Sequence, residues 1–278
     1  MSSATDEIKT MVKEKYTQIA NQSKDQNSSS CCGAGGCSSE DIMIFSEDYS
    51  QIEGYQADSD LGLGCGIPTL FANIQKGSTV LDLGSGAGND AFVARSLTGE
   101  TGKVIGVDFT EAMIEKARDN ADRLGFSNVE FRPGDIEKLP VGPNRVDVVI
   151  SNCVLNLVPD KKKAFSEIMR VLKPGGSFCV SDIVLEGNLP KDLQKSAEMY
   201  AGCVTGAIQK SEYLSIVKET GFLEIQIKKE KEIVLPDDIL LDFMNKEGIE
   251  EFRKGGAKIL SITVVAHKEF CAPEKGCC

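Results

Sequence analysis

One glycine-rich stretch of this 278-residue sequence has the residues and spacing to bind a nucleotide. It runs from Leu81 to Gly88 and reads Leu-Asp-Leu-Gly-Ser-Gly-Ala-Gly, between a short apolar run and an amphipathic segment. Glycines at such a junction let the backbone turn sharply and come close to a ligand. Asp108 follows twenty residues after Gly88, and a carboxylate at that place is the usual acceptor for ribose hydroxyl groups. The loop and Asp108 together predict a nucleotide site.

The glycine spacing distinguishes between two kinds of nucleotide. A dinucleotide fingerprint has the form G-x-G-x-x-G, which from Gly84 would place its last glycine where this chain has Asn89. The chain has G-x-G-x-G instead, so a pyrophosphate site and hydride transfer are disfavoured. The alternative is that the loop is only a sharp structural turn and that Asp108, at the end of the next strand, is unrelated to it. The combination of strand, loop, helix and distant acid argues against that alternative.

Ten cysteines form the second set of residues that could do chemistry. In a reducing compartment, a cysteine-rich pattern indicates metal binding or redox chemistry more often than structural disulfides. Cys179 lies inside an apolar run and fits a small core residue. Three other cysteines are each flanked by small or loop residues: Cys65, Cys153 and Cys203. The remaining six lie in an upstream cluster and a tail: Cys31, Cys32 and Cys37, and Cys271, Cys277 and Cys278.

A structural zinc site is one alternative for the cluster and the tail. Cys32 and Cys37 have the spacing of half a site, and Cys277 and Cys278 could supply the other half, because tetrahedral zinc takes four ligands. Adjacent cysteines chelate one ion poorly, which argues against this site. The tail thiols could instead capture thiophilic metals, or they could be inert.

The chain around the glycine loop alternates apolar runs with amphipathic segments. This alternation predicts a parallel sheet with helices on both faces, joined by right-handed crossovers. Strands are predicted at 79–83, 103–107, 128–132, 145–151 and 177–183, and helices at 89–97, 111–124 and 161–172. Ligands bind at the carboxyl ends of such strands. Cys153, which follows the fourth strand, is therefore expected beside the glycine loop.

The two ends of the chain add smaller regions to this α/β domain. A helix is predicted at 6–20, a Ser-, Gly- and Cys-rich loop at 22–40, helices at 193–201 and 211–220, and a disordered tail from 269. Strands at 223–234 and 258–265 would add an edge to the sheet or form a small appended sheet. The expected division is 1–45 for the N-terminal helix and loop and 46–185 for the Rossmann-like domain, followed by an α+β appendage at 186–268 and the tail at 269–278.

Composition excludes several function classes. A net charge of −11 argues against a nucleic-acid partner, because phosphate backbones are bound by Lys and Arg. No segment approaches the roughly 18 apolar residues of a membrane span, and the polar N-terminus is not a secretory signal. A cytoplasmic protein with a small-molecule substrate is expected. Its one histidine, His267, lies in an alternating run that fits a structural strand.

The glycine loop resembles that of class I S-adenosylmethionine-dependent methyltransferases. Three more stretches match that family: Val107-Asp-Phe109 with Met113, Gly134-Asp-Ile136, and Arg170 to Gly176. The resemblance implies that Asp108 holds the ribose, that Asp135 meets the adenine amino group, and that Met113 and Ile136 enclose the ring. Taken alone, the last two would be core residues. The further cofactor-binding residues that it implies are Asp82, Gly84, Ser85, Gly86, Gly88, Phe109 and Asn152.

Three cysteine motifs narrow the resemblance. Gly64-Cys-Gly66, Ser151 to Asp160 and Gly202-Cys-Val-Thr-Gly206 resemble arsenite S-adenosylmethionine methyltransferases, over about 49–221. The resemblance implies that Cys153 and Cys203 bind arsenic and that Cys65 is a third ligand or a redox partner. It also implies one functional upstream cysteine, for which Cys32 is favoured over Cys31 and Cys37. Gly202 stands where some members carry Glu, so the role of that carboxylate does not transfer.

The chemistry of arsenic agrees with this resemblance. Thiolates are natural ligands for soft trivalent arsenic, and three of them leave a lone pair that can attack the sulfonium methyl group. The acceptor then has no proton to lose, so no general base is needed. Transfer leaves arsenic formally oxidised, and thiols can reduce it by forming a disulfide. The expected substrates are arsenite or its thiol conjugates, with thioredoxin or glutathione as the reductant, and the enzyme is expected to be a monomer.

Two rival functions remain open on the sequence. A methyltransferase for an oxygen, nitrogen or carbon of a metabolite would share every cofactor feature, but it would need a base near the methyl group, and none is evident. A thiol protein that only sequesters metal would not need the glycine loop. Turnover of arsenite distinguishes all three.

Overall fold

One seven-stranded sheet forms the centre of the described structure. The computed structural model describes residues 4–22, 47–190, 206–241 and 244–270. Along the chain the longer elements are α1 (Ala4–Ala20), β1 (Thr79–Leu83), α2 (Asn89–Thr98), β2 (Lys103–Asp108), α3 (Glu111–Leu124), β3 (Val129–Pro133), β4 (Val146–Asn152), α4 (Lys161–Val171), β5 (Leu172–Glu186), α5 (Lys210–Glu219), β6 (Leu223–Ile233), α6 (Asp237–Leu241), α7 (Lys246–Lys254) and β7 (Lys258–His267).

The strand order is β3-β2-β1-β4-β5-β7-β6. The first five strands are parallel, as predicted, and β7 runs antiparallel between β5 and β6. Of the two alternatives for the C-terminal strands, the structure has the one in which they extend the main sheet. β6 is the exposed edge strand, and its Lys and Glu side chains disfavour pairing with another chain. The predicted α/β class is confirmed.

Apolar clusters cover both faces of the sheet. On one face Phe165 of α4 contacts Phe178 of β5 and Tyr213 of α5, with ring centroids 5.6 Å apart in each pair. On the other face Phe92 of α2 stacks edge-on against Phe131 of β3. Covering both faces explains why the parallel strands are buried along most of their length. The sheet therefore has a rigid edge at the carboxyl ends of β1, β2 and β4.

Most predicted boundaries lie within one or two residues of the observed ones. The exceptions are β5, which extends beyond both predicted ends, and α6 and α7, which were not predicted. The predicted helix at 193–201, nearly all of the loop at 22–40 and the tail from 271 lie outside the described residues. None of the described helices has the length and apolar character to cross a membrane.

Candidate active site

The glycine loop joins β1 to α2 in a conformation that requires glycine. Gly84, Gly86 and Gly88 have φ angles of +64°, +50° and +101°, a region that L side chains rarely adopt. A Cβ on Gly84 would collide with Val154, and one on Gly88 would lie 2.8 Å from the ring of Phe92. A Cβ on Gly86 would meet nothing within 4 Å. The backbone at Gly86 therefore faces open space at the carboxyl edge of the sheet.

Asp108 connects this loop to the end of β2. Its Oδ2 accepts a hydrogen bond from the Gly86 backbone N–H at 3.0 Å, and its Oδ1 accepts one from the Thr110 N–H at 2.8 Å. Burial raises the pKa of the Asp108 carboxyl, and these backbone hydrogen bonds oppose the shift. Since a carboxylate can accept about four hydrogen bonds, Asp108 keeps capacity for hydroxyl groups on a ligand.

The pocket beside the loop holds acceptor atoms without protein donors. Asp82 Oδ2 and Ser85 Oγ are buried and have no hydrogen-bond partner within the described part of the chain. Burial first, then the nearby carboxylates Asp90 and Asp108, raises the pKa of Asp82 well above its usual value. A ligand with hydroxyl groups and positive charge would donate hydrogen bonds to these atoms and complement the nearby carboxylates. S-adenosylmethionine, with its ribose hydroxyls, ammonium and sulfonium, fits these residues.

The residues predicted for the adenine end are only partly on the pocket wall. Phe109, Asp135 and Ile136 line the pocket. Met113 is fully buried and packs with Ile19 of α1 in an apolar cluster, so it is not among the lining residues. Gly88 is likewise absent from the wall. The other predicted cofactor residues line it: Asp82, Gly84, Ser85, Gly86, Asp108 and Asn152.

Sequence reasoning missed the contribution of α1 to this pocket. Lys9 and Tyr16 of α1 line it, and Lys9 Nζ lies 2.7 Å from the Asp135 carboxylate and also contacts Glu137. An amphipathic helix far from the motifs carries no sequence signal for such a role. Tyr49 and Asp90 also line the pocket and were also missed, although Asp90 lies two residues after Gly88, the end of the glycine loop.

Cys153 lies on the pocket wall at the end of β4. It is 2% exposed, its backbone N–H donates to Ser181 O at 2.8 Å, and its φ is +59°. Cys65 is 1% exposed and belongs to the same buried apolar cluster. The structure thus brings Cys65, Cys153 and the glycine loop to one place. Cys32 and Cys203 lie outside the described residues, as do all the cysteines of the zinc alternative.

Cys179 occupies a different place. It is buried in β5 and packs in the cluster that contains Phe92 and Val148. Burial, and then the charge of Asp90, raises the pKa of the Cys179 thiol far above its usual value. A thiol that resists ionisation is a poor ligand and nucleophile. Its prediction as a core residue agrees with this environment.

Comparison with known proteins identifies the family. A family model described as a methyltransferase domain matches residues 74–221. An arsenite methyltransferase from Halobacterium salinarum is 40% identical, over 95% of this chain and 67% of that protein. This chain belongs to the arsenite methyltransferase family. An arsenite methyltransferase from Aquipseudomonas alcaligenes is 32% identical over 82% of this chain, which spans slightly less than two thirds (65%) of that relative's length.

A solved structure supports the same assignment. An arsenic(III) S-adenosylmethionine methyltransferase from Chlamydomonas reinhardtii aligns with a TM-score of 0.62 and 36% identity, over 76% of this chain and 68% of that one. The arsenite methyltransferase family is the one indicated by the cysteine motifs. The class I fold, S-adenosylmethionine as methyl donor and the assignment as an enzyme are therefore confirmed.

A buried ionisable group lies beneath the turn that follows Cys153. Asp182 of β5 is fully buried and accepts a hydrogen bond from Tyr213 Oη at 3.2 Å. Burial raises its pKa to about 7, against the opposing effects of Lys161 and of the Asn156 backbone N–H. Lys161 Nζ donates to the backbone oxygens of Asn156 and Val158. Asp182 and Lys161 thus hold the turn in place from below.

We expect Asp182 to make stability fall as pH rises from 4 to 7. The folded pKa of about 7 exceeds the ordinary aspartate pKa of 3.8. As pH rises, the unfolded chain therefore releases its proton first and gains stability relative to the folded chain. Asp182→Asn removes this dependence. The measurement is the free energy of unfolding in urea, taken for wild type and for the variant at each pH. The difference between the two proteins should change by roughly 3–4 kcal/mol from pH 4 to pH 8. A free-energy difference between wild type and Asp182→Asn that stays the same from pH 4 to pH 8 would contradict the assignment.

Proposed function

We propose that this chain methylates trivalent arsenic while Cys65, Cys153 and Cys203 hold it as thiolates. One observation carries the proposal: Cys153 lies on the wall of the pocket that the glycine loop and Asp108 line, and Cys65 is packed in the same cluster. Cys65 is not itself on the pocket wall, but its neighbour Gly64 is, and this supports a pair of thiols from distant parts of the chain beside the proposed methyl-donor site. Family membership supports arsenite as the acceptor, and Cys203 is the third ligand by resemblance.

The chain's part in the reaction is to orient rather than to transfer protons. When bound, S-adenosylmethionine supplies an electrophilic methyl group. The lone pair of a tris-thiolate arsenic is directed away from the sulfurs, so Cys65 and Cys153 decide where it points. The one histidine, His267, ends β7 and is not on the pocket wall. Proximity and alignment thus provide the rate enhancement, and no base is required.

Each transfer requires a later supply of two electrons. Arsenic is formally pentavalent after it gains the methyl group, and a pair of thiols returns it to the trivalent state by losing two electrons and two protons as a disulfide forms. Cys65 with Cys32 is the proposed pair. Thioredoxin or glutathione then reduces the disulfide by thiol exchange. We further propose a cytoplasmic monomer, divided at residues 45, 185 and 268 as expected from the sequence.

The direct test is to incubate purified protein with arsenite and S-adenosylmethionine and to quantify methylated arsenic by mass spectrometry. With a thiol reductant, product should increase linearly and match the S-adenosylhomocysteine formed. Stoichiometric arsenic binding without methylated product would favour sequestration instead.

Without a reductant, we expect the reaction to stop after about one methyl group per protein, because the thiols are then oxidised. Later addition of reductant should restart it. Continued turnover without a reductant would contradict the disulfide step.

A further inference from the structure

We propose that Asn152, oriented by Asp90 and Tyr49, is a positioning residue that sets the spacing of Cys65 and Cys153. We call Asn152, Asp90 and Tyr49 the Asn152 clamp. The inference rests on the proposed function, because it explains how two thiols from distant segments become a chelating pair. It assigns a task to Tyr49 and Asp90, which the sequence motifs did not explain, and it gives Asn152 a role beyond the cofactor contact that the resemblance implies.

Asn152 connects the two cysteine segments directly. It precedes Cys153 in the chain, and its Oδ1 accepts hydrogen bonds from the backbone N–H groups of Cys65 at 3.0 Å and Gly66 at 3.2 Å. Its Nδ2 donates to Gly66 O at 2.8 Å. Backbone N–H groups can only donate, so the atom facing them must be the amide oxygen. One side chain therefore holds the Cys65 loop, residues 64–66, against the end of β4.

Asp90 and Tyr49 fix the other side of this amide. Nδ2 of Asn152 lies 3.0 Å from Asp90 Oδ2 and 2.8 Å from Tyr49 Oη, and Tyr49 Oη donates to Asp90 Oδ1 at 2.8 Å. Both residues are buried. Burial raises the pKa of Asp90 to about 6, and its hydrogen bonds to Asn152 and Tyr49 oppose that shift. Because its NH₂ group faces two buried oxygens, those of Asp90 and Tyr49, the Asn152 amide cannot rotate without losing several hydrogen bonds at once.

The glycines beside Cys65 make room for the clamp. A Cβ on Gly64 would lie 2.5 Å from Asn152 Nδ2, and one on Gly66 would lie 2.5 Å from Ser181 Oγ. Neither glycine has a positive φ. Their lack of a side chain is thus needed for space rather than for backbone conformation. Gly64 thus leaves the space that Asn152 of the clamp occupies, whereas Gly66 leaves the space that Ser181 of β5 occupies.

The backbone of Cys153 shows what the clamp maintains. Its φ of +59° is rare for a residue with a side chain and persists only where the surroundings enforce it. The side-chain hydrogen bonds of Asn152 fix the residue that precedes Cys153. The hydrogen bond from Cys153 N to Ser181 O fixes Cys153 itself. The clamp therefore aims the Cys153 thiol and fixes its partner at the same time. A pair held in advance binds a chelated ion at lower entropic cost.

The test uses phenylarsine oxide, a trivalent arsenical that binds two thiols, with the full-length chain as background. Cys31, Cys32, Cys37, Cys203, Cys271, Cys277 and Cys278 are replaced by Ser in every sample, so that Cys65 and Cys153 are the one pair under test and no third proposed ligand can take the place of either. Asn152→Ala should weaken phenylarsine oxide binding by about 30-fold and Tyr49→Phe by about 5-fold. Asn128→Ala is the control and should change phenylarsine oxide affinity less than about 2-fold. Asn128 likewise ties separate backbone segments together, by donating to Gly99 O and Gly102 O, but it lies away from the pocket.

Two further measurements distinguish positioning from general loosening. The clamp predicts that alkylation of Cys65 and Cys153 by iodoacetamide is as fast or faster in Asn152→Ala, since single thiols need no partner. X-ray absorption of bound arsenite should show fewer sulfur neighbours in this variant than in its parent. A loss of stability alone would not change the arsenic coordination number.

The outcomes separate the two proposals. If Cys65→Ser and Cys153→Ser keep full affinity for phenylarsine oxide, the ligand assignment fails. If those two lose affinity while Tyr49→Phe and Asn152→Ala retain it, the ligand assignment stands and the clamp is overturned. Should Asn152→Ala not fold, as judged by circular dichroism, Tyr49→Phe decides alone, because it keeps the packed ring and removes only the hydroxyl.

Discussion

Cys153→Ala is expected to reduce the formation of methylated arsenic by at least about 1,000-fold while S-adenosylmethionine affinity changes less than about 3-fold. Cys153 lies on the pocket wall with a backbone conformation that sets the direction of its thiol. Its loss removes a soft ligand from arsenic and also the alignment of the lone pair with the methyl group. The substitution leaves intact the glycine loop and Asp108, which are the proposed cofactor contacts. Single-turnover product by mass spectrometry and cofactor affinity by calorimetry measure the two effects.

Cys179→Ala provides a matched control for this prediction. Both cysteines are buried, at 2% and 0% exposure, so each substitution leaves a similar small cavity and costs about 1 kcal/mol of stability. Only Cys153 lines the pocket. Cys179→Ala should therefore retain activity within a few-fold. Equal loss of activity in both variants would mean that stability, and not arsenic ligation, is responsible.

Asp108→Asn is expected to weaken S-adenosylmethionine binding by about 100-fold, or about 3 kcal/mol. The carboxylate already accepts hydrogen bonds from the backbone of Gly86 and Thr110. An amide can place only one oxygen there, so its NH₂ group must face either a backbone N–H or the ligand's hydroxyl groups. Loss of charge also weakens the remaining hydrogen bonds. Calorimetric titration of the variant with S-adenosylmethionine measures the effect.

Asp147→Asn is the control for Asp108→Asn. Asp147 also accepts a hydrogen bond from a backbone N–H, that of Thr79, but it lies at the start of β4 and away from the pocket. Its replacement should leave cofactor affinity within about 2-fold. Asp108→Asn with wild-type affinity would show that the ribose is held elsewhere.

The sequence was sufficient to predict that the glycine loop and Asp108 lie together, because both are set by local sequence and by neighbouring strands. Gly84, Gly86 and Gly88 need positive φ values, and their spacing expresses that need directly. Asp108 follows at the end of the next strand, where the fold places it beside the loop whatever the intervening residues are. The parallel order of β1 to β5 likewise follows from alternating strand and helix patterns.

For the proposed arsenic site, the sequence indicated the cysteines but not the residues that hold them in place. Asn152 was expected to bind the cofactor, and it does line the pocket. Its side-chain hydrogen bonds to the Cys65 loop, Tyr49 and Asp90 were not expected. These contacts join segments 62 to 103 residues apart. No periodicity or spacing encodes such a meeting. The position of α1 against Asp135 was missed for the same reason, since it depends on tertiary packing rather than on any motif.

The last strand of the sheet has a consequence for how the protein is made. Ser261 and Thr263 of β7 support the Cys65 loop: Ser261 Oγ donates to Cys65 O, and Thr263 lies beside Ser181 against Gly66. During synthesis the loop that carries Cys65 lacks this support until β7, the last of the described strands in chain order, emerges. The main sheet also waits for β7, because β5 pairs with it along its length and four side chains of β7 pack in the large core cluster. A message truncated before β7 is therefore expected to yield a protein that lacks both a supported Cys65 loop and part of its core.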